Sequence, residues 1–318
     1  MMDYTDRHFR VLMRQITRRS LLYTEMVVAQ ALHFTDPQRR ERLLGFDPIE
    51  HPIALQLGGD DPLLLAEATR MAASRGYDEV NLNVGCPSEK VRQGRFGACL
   101  MADPDRVASC VEAMVSASPL PVTVKHRIGI DERDSYEELL AFVDTVAAAG
   151  CQRFSVHARK AWLDGLDPKQ NRTIPPLRYD IVHQLKRDRP ALTIELNGGL
   201  IQPDDCRRQL LEVDGVMVGR AAYEHPLRWR DVDRDLFADD SRDGASASSV
   251  IRGLVPYAEG WCSDGGRLWS IARHLVHLVE GVSGARHWRR DLGTAAGERS
   301  AGPEVLEKAA LQLEERGL

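Results

Sequence analysis

EVNLNVG, residues 79–85, is a strand-length run set between two helical patterns. Pro62 to Arg75 precedes it and Asp103 to Ser116 follows, each with apolar residues at three- and four-residue spacing. Six similar runs occur along the first three quarters of the chain: TEMVVA (24–29), PIALQLGG (52–59), PVTVKHRIG (121–129), RFSVHAR (153–159), TIELNGG (193–199) and GVMVGRA (215–221). Ser135 to Ala149 and Pro203 to Leu211 are further helical stretches between them. Strand, helix, strand repeated this often means parallel pairing, because a parallel neighbour needs a long crossover.

The expected fold is therefore α/β, a (β/α)8 TIM barrel followed by a small all-helical domain. Seven runs are visible where a closed barrel needs eight, and Asp6 to Thr17 has a helical pattern. Either the sheet is open or strand one is missing or truncated. The second is preferred, because the chain begins abruptly with Met1-Met2-Asp3. Strand-like runs stop near Asp243; Val250 to Gly281 and Pro303 to Gly317 are helical, after a linker at Asp239 to Ser249. The expected domains are 1–240, the barrel, and 241–318, the helices.

The 318 residues are 43% hydrophobic and 28% charged, with a net charge of −5. That excludes a uniformly basic nucleic-acid surface but not a local basic face. The six cysteines form no CxxC pair and no zinc-type spacing with histidine, a pattern of free cytosolic thiols with no metal site. No apolar stretch is long enough to span a membrane, and the N-terminus has no signal-peptide core, so the expected location is the cytoplasm.

Polar residues collect at the C-terminal ends of the runs: Gln56, Asn83 with Cys86, Lys125 with Arg127, His157 with Arg159, Asn197-Gly198-Gly199, and Gly219-Arg220. Barrel interiors should be apolar, and barrel enzymes carry their sites at this end. The last two ends combine glycines, which admit close backbone approach to an anion, with an arginine that can fork onto it. Without a P-loop or a GxGxxG after the first run, a phosphate there points to flavin mononucleotide (FMN). Lys125 suits the negative charge of a reduced flavin, or alternatively a neighbouring carboxylate. Gln56 could bond the flavin ring edge or be a satisfied strand-end amide, and His157 alone could be a core histidine. Cys86 differs from the other cysteines because Pro87 ends the strand at the barrel mouth. Its thiol is placed to donate a proton to a developing carbanion, or less readily to act as a nucleophile, for which His157 is the one candidate base.

NLNVGCPSEKVRQGRFGACLM (81–101) strongly resembles the tRNA-dihydrouridine synthases, as do VKHRIGID (124–131), FSVHAR (154–159), ELNGG (195–199) and VMVGRAAYEHP (216–226). GLDPKQNRTIPPLRYD (165–180) and GARHWRR (284–290) are similar to the A subfamily in particular, associated with uridines 20 and 20a of tRNA. The resemblance implies an FMN barrel with a helical tRNA-binding domain, and NADPH-driven reduction of a D-loop uridine. It implies Cys86 as proton donor to C5 and Asn83 as a tRNA contact near the target base. Gln56, Lys125, His157, Asn197, Gly198, Gly199, Gly219 and Arg220 would hold FMN, with Met1 and Met2 remaining from a flavin-contacting segment at the end of strand one. Lys169, Arg172, Arg286 and Arg289 would contact tRNA, and the enzyme would act as a monomer. Five arginines lie between Arg267 and Arg290, with Trp269 and Trp288 interleaved to stack or to pack. A basic helical tail argues against the alternative of a flavin barrel acting on a small pyrimidine or enone. A missing first strand raises a third possibility, a tRNA-binding module with impaired catalysis.

Overall fold

A computed structural model describes residues 1–241 and 244–318; Arg242 and Asp243, inside the expected linker, lie outside the described residues. It divides into two compact units. The first comprises Met1, Tyr23–Gly45 and His51–Gly219; the second comprises Met2–Leu22, Phe46–Glu50 and Arg220–Leu318.

The strands form one eight-stranded sheet, all but Leu22 within the first unit: β1 (Leu22–Tyr23), β2 (Val27–Val28), β3 (Ile53–Gly58), β4 (Glu79–Val84), β5 (Val122–Arg127), β6 (Arg153–His157), β7 (Thr193–Asn197) and β8 (Gly215–Met217). Their order is β1-β3-β4-β5-β6-β7-β8, with β2 also on β3, and every pair from β2–β3 to β7–β8 is parallel. The run at 24–29 thus contains one dipeptide strand, β2, and a second, β1, lies just before it on the same neighbour, β3. Thr24 bridges them: its N–H donates to Ala54 C=O and its hydroxyl accepts from Gln56 N–H, each at 3.0 Å. Two short strands in one position leave seven positions, as counted from the runs, and among the described residues β8 pairs with β7 alone. This is a TIM-barrel-like α/β fold whose sheet stops short of closure.

Helices lie between the strands. Asp61 caps Pro62–Ser74, Asp103 caps Pro104–Ala117, and Ser135 with Glu138 forms a capping box on Tyr136–Ala148. Each cap satisfies backbone N–H groups that the helix cannot. Val80, Leu82 and Val84 on β4, Val122 and Val124 on β5, and Phe154 and Val156 on β6 are buried. Burying a side chain of this size stabilises by about 2 kcal/mol. The alternate residues form the other face, and they are not apolar as expected. Gln56, Asn81 and Thr123 pair in one register row, and Asn83, Lys125, Ser155 and Glu195 in the next. Period-two alternation puts these rows on one face of the sheet, so the inner wall is polar well below its rim.

In the second unit, helix Arg7–Ile16 packs on helices Ala247–Ser263 and Trp269–Leu275. Asp6 caps it through Phe9 N–H at 2.9 Å, and Arg10 pairs with the buried Glu50 at 2.5 Å. The structure divides at Gly219–Arg220 rather than at 240–241, and the N-terminal helix belongs to the helical unit. Its buried stripe, including Phe9, Val11 and Leu12, meets helices rather than strands.

Candidate active site

Cys86 is held from both sides. Asn83 Oδ1, at the end of β4, accepts the N–H groups of Gly85 and Cys86 at 3.1 and 3.0 Å. Ala98 N–H donates to Cys86 C=O at 2.9 Å. Gly97 makes that contact possible: its φ is +77°, and a Cβ there would lie 2.5 Å from Cys86 O. Arg127 Nε fixes Gly85 C=O at 2.9 Å, while its Nη1 bonds the carbonyls of Lys160 and Asn171, tying the loop after β4 to the loop after β6. The Cys86 backbone is therefore rigid, and its half-buried thiol makes no hydrogen bond to the described residues.

Lys125, paired in register with Asn83 on β4 and Ser155 on β6, makes no ion pair or hydrogen bond among the described residues. Burial, reinforced by the Arg127 guanidinium, pushes its ammonium down to about 8. Among the described residues no carboxylate pairs with it, although Cys86 and then Glu195 lie near enough to oppose that shift. His157 is held well below the usual histidine range by burial and then by Arg127, Lys125 and Arg159, and its Nδ1 is buried without a partner. Burial also brings Arg127 down to about 10. An electropositive site with an unpaired ammonium and an orphaned imidazole nitrogen has the donor set of an anion site.

Gln56 Nε2 donates to Asn81 Oδ1 and its Oε1 accepts from Asn83 Nδ2, both at 2.9 Å. Asn197 spends its Nδ2 on Met217 C=O at 2.7 Å, linking β7 to β8. Gly198 and Gly199 have φ of +111° and +71°, and Tyr179 hydroxyl donates to Gly198 C=O at 2.7 Å. Gly219 has open space where a Cβ would be, with Met1 Sδ at 3.8 Å as its one neighbour. Met2 and Arg220 are exposed, and both fall in the second unit. On the loop after β6, Lys169 is exposed and Arg172 has a buried Nε with no hydrogen bond.

The arginines of the helical unit separate into engaged and free. Arg267 donates to Gly297 C=O, Arg273 pairs with Asp6 at 2.6 Å, and Arg290 lies 3.4 Å from Asp291. Arg286 and Arg289 have no partner among the described residues, and Arg286 is exposed. Trp288 is buried, donating to Ala309 C=O at 3.1 Å, so it packs and is not available to stack; Trp269 remains partly exposed.

The dihydrouridine synthase (Dus) family model matches residues 1–314. The chain belongs to the dihydrouridine synthase family. Relatives named tRNA-dihydrouridine(20/20a) synthase are 58% identical in Synechocystis sp., 53% in Shewanella oneidensis and 50% in Yersinia pestis. Each alignment covers 97% of this chain, and 91%, 91% and 88% of the respective relative. Family membership makes the chain an enzyme. It also gives the polar inner wall a purpose, since a wall without chemistry to perform would pack more favourably with apolar side chains.

Proposed function

We propose that this chain reduces uridines 20 and 20a in the D-loop of tRNA to 5,6-dihydrouridine, with FMN as its flavin and NADPH as reductant. The observation that carries the proposal is a thiol at the end of β4, its peptide groups pinned by Asn83, Ala98 and Arg127, beside an unpaired ammonium at the end of β5. Lys125, the orphaned His157 Nδ1 and the positive-φ pair Gly198-Gly199 fit a phosphorylated flavin, with Gln56 at the ring edge and Gly219, Arg220, Met1 and Met2 as further contacts. FMN bound there supplies the hydride for C6 of the base. Cys86 supplies the proton for C5, and its fixed backbone limits where that proton can go. Lys125 and Arg127 favour negative charge arising near them.

A target uridine must leave its stack to enter such a site. Asn83, Lys169 and Arg172 then hold the nucleotide at the mouth, while Arg286 and Arg289 bind phosphates farther along the tRNA. On this reading the chain acts in the cytoplasm as a monomer. No helix among the described residues is long and apolar enough to cross a membrane. The test is a dihydrouridine map of tRNA incubated with purified protein, FMN and NADPH. Dihydrouridine at positions 20 and 20a is expected. Reduction of free uracil or an enone with no change in tRNA would overturn the assignment.

A further inference from the structure

A single line of hydrogen bonds runs from Cys86 down the inner wall. Below Gln56, Asn81 Nδ2 donates to Thr123 Oγ1 at 2.9 Å, and Thr123 hydroxyl donates to Glu79 Oε1 at 2.5 Å. The full line is Gly85 and Cys86 N–H, Asn83, Gln56, Asn81, Thr123, Glu79. Asn81, Thr123 and Glu79 are buried. Tyr23 hydroxyl also donates to Glu79 Oε1, at 2.9 Å, and the Arg153 guanidinium pairs with Glu79 Oε2.

The polarity of this line is fixed at both ends. Backbone N–H groups only donate, so Asn83 must turn its carbonyl oxygen toward Gly85 and Cys86. A carboxylate paired with arginine only accepts, so Thr123 must point its hydroxyl proton at Glu79. Every amide between inherits one orientation, because flipping any of them sets donor against donor or acceptor against acceptor in a buried place. Neither Asn81, Thr123 nor Glu79 lies next to Cys86, yet each determines which way the side chains above it face.

We infer that Glu79, Thr123 and Asn81 are positioning residues for uridine reduction, locking the amide orientation of Gln56 and Asn83 and, through Asn83, the seat of Cys86. This rests on Cys86 being the proton donor.

The test replaces Thr123 by Ser, Cys and Val, a series in which the hydroxyl donor is kept, weakened and removed. Two readouts are taken: the single-turnover rate of uridine reduction in tRNA by NADPH-reduced holoenzyme, and the iodoacetamide alkylation rate of Cys86 in the cofactor-free protein, followed by peptide mass spectrometry. Thr123→Val is expected to lower the reduction rate roughly ten- to a hundredfold, the scale of a misplaced reacting group, with tRNA affinity held within about twofold. Alkylation of Cys86 should change severalfold while the buried Cys110 and Cys151 do not respond, and Thr123→Ser should restore both values. Wild-type reduction and alkylation in Thr123→Val, or equal losses in the Ser and Val variants, would overturn the inference. If Thr123→Val does not fold, Thr123→Cys decides, since it must fall below Thr123→Ser. Cys86→Ala separates the two proposals: full uridine reduction in that variant defeats the proton-donor role, whereas an altered alkylation rate in Thr123→Val reports the line of hydrogen bonds irrespective of that outcome.

Discussion

Cys86, Lys125 and His157 could be picked out in the sequence because each is an unusual residue at the end of a strand-like run. Removing the thiol should separate the two halves of catalysis. Cys86→Ala is expected to keep FMN and NADPH oxidation and to lose uridine reduction by about two to four orders of magnitude, the usual contribution of a positioned acid. Product formation at the wild-type rate would remove Cys86 from that role. Lys125 gives a pH signature. Its ammonium is depressed to about 8, so in the empty site it is charged below that value and neutral above. An anionic ligand favours the charged form, so FMN affinity should be highest below about pH 8 and fall as pH rises through it. Fluorescence titration on both sides of that pH checks the sign, and Lys125→Met should bind more weakly with a flattened profile. Asn81, Thr123 and Glu79 were not legible in the same way. A polar residue in a strand reads as a solvent-facing position until its cross-strand partner is known, and that partner lies 25 residues away for Gln56 and Asn81 and 44 for Thr123 and Glu79.

Among elements, the seven strand positions were legible because each run is bounded by helical periodicity or by glycine and proline. Helices Ala29–Phe34 and Pro37–Leu44 were not, since six and eight residues give too few turns for a period to show. The turn after β7 offers a paired test of what its glycines do. A Cβ at Gly199 would meet Leu177 at 2.5 Å and Tyr179 hydroxyl at 2.6 Å, in a backbone of φ +71°. Gly199→Ala should therefore cost about 1–3 kcal/mol, seen as a drop of several degrees in the melting temperature. Gly219→Ala meets nothing closer than 3.8 Å and should melt near wild type. Weakened FMN binding in Gly219→Ala without a change in melting would report close approach of the cofactor to that backbone; unchanged binding would count against it.

For the whole molecule, the sequence indicated a sheet-based unit and a helical one, and the two compact units place Arg7–Ile16 with the helices. Periodicity shows that Arg7–Ile16 has an apolar stripe, not which core receives it. Charge behaves similarly: five arginines cluster in sequence, yet three are engaged within the fold and two are free. Arg286→Ala with Arg289→Ala should weaken tRNA binding, leave the bound-flavin spectrum unaltered, and reduce the salt-dependence slope by about 2. An unchanged slope in a filter-binding series would remove them from the interface. The incomplete sheet has a consequence for handling the protein. Among the described residues, half-exposed Gly215–Met217 has a neighbouring strand on one side alone, so its other side carries peptide groups able to template a guest strand. Extended segments from unfolded chains are the natural guests, which makes concentrated refolding the step at which this protein should turn turbid, and dilute refolding the remedy.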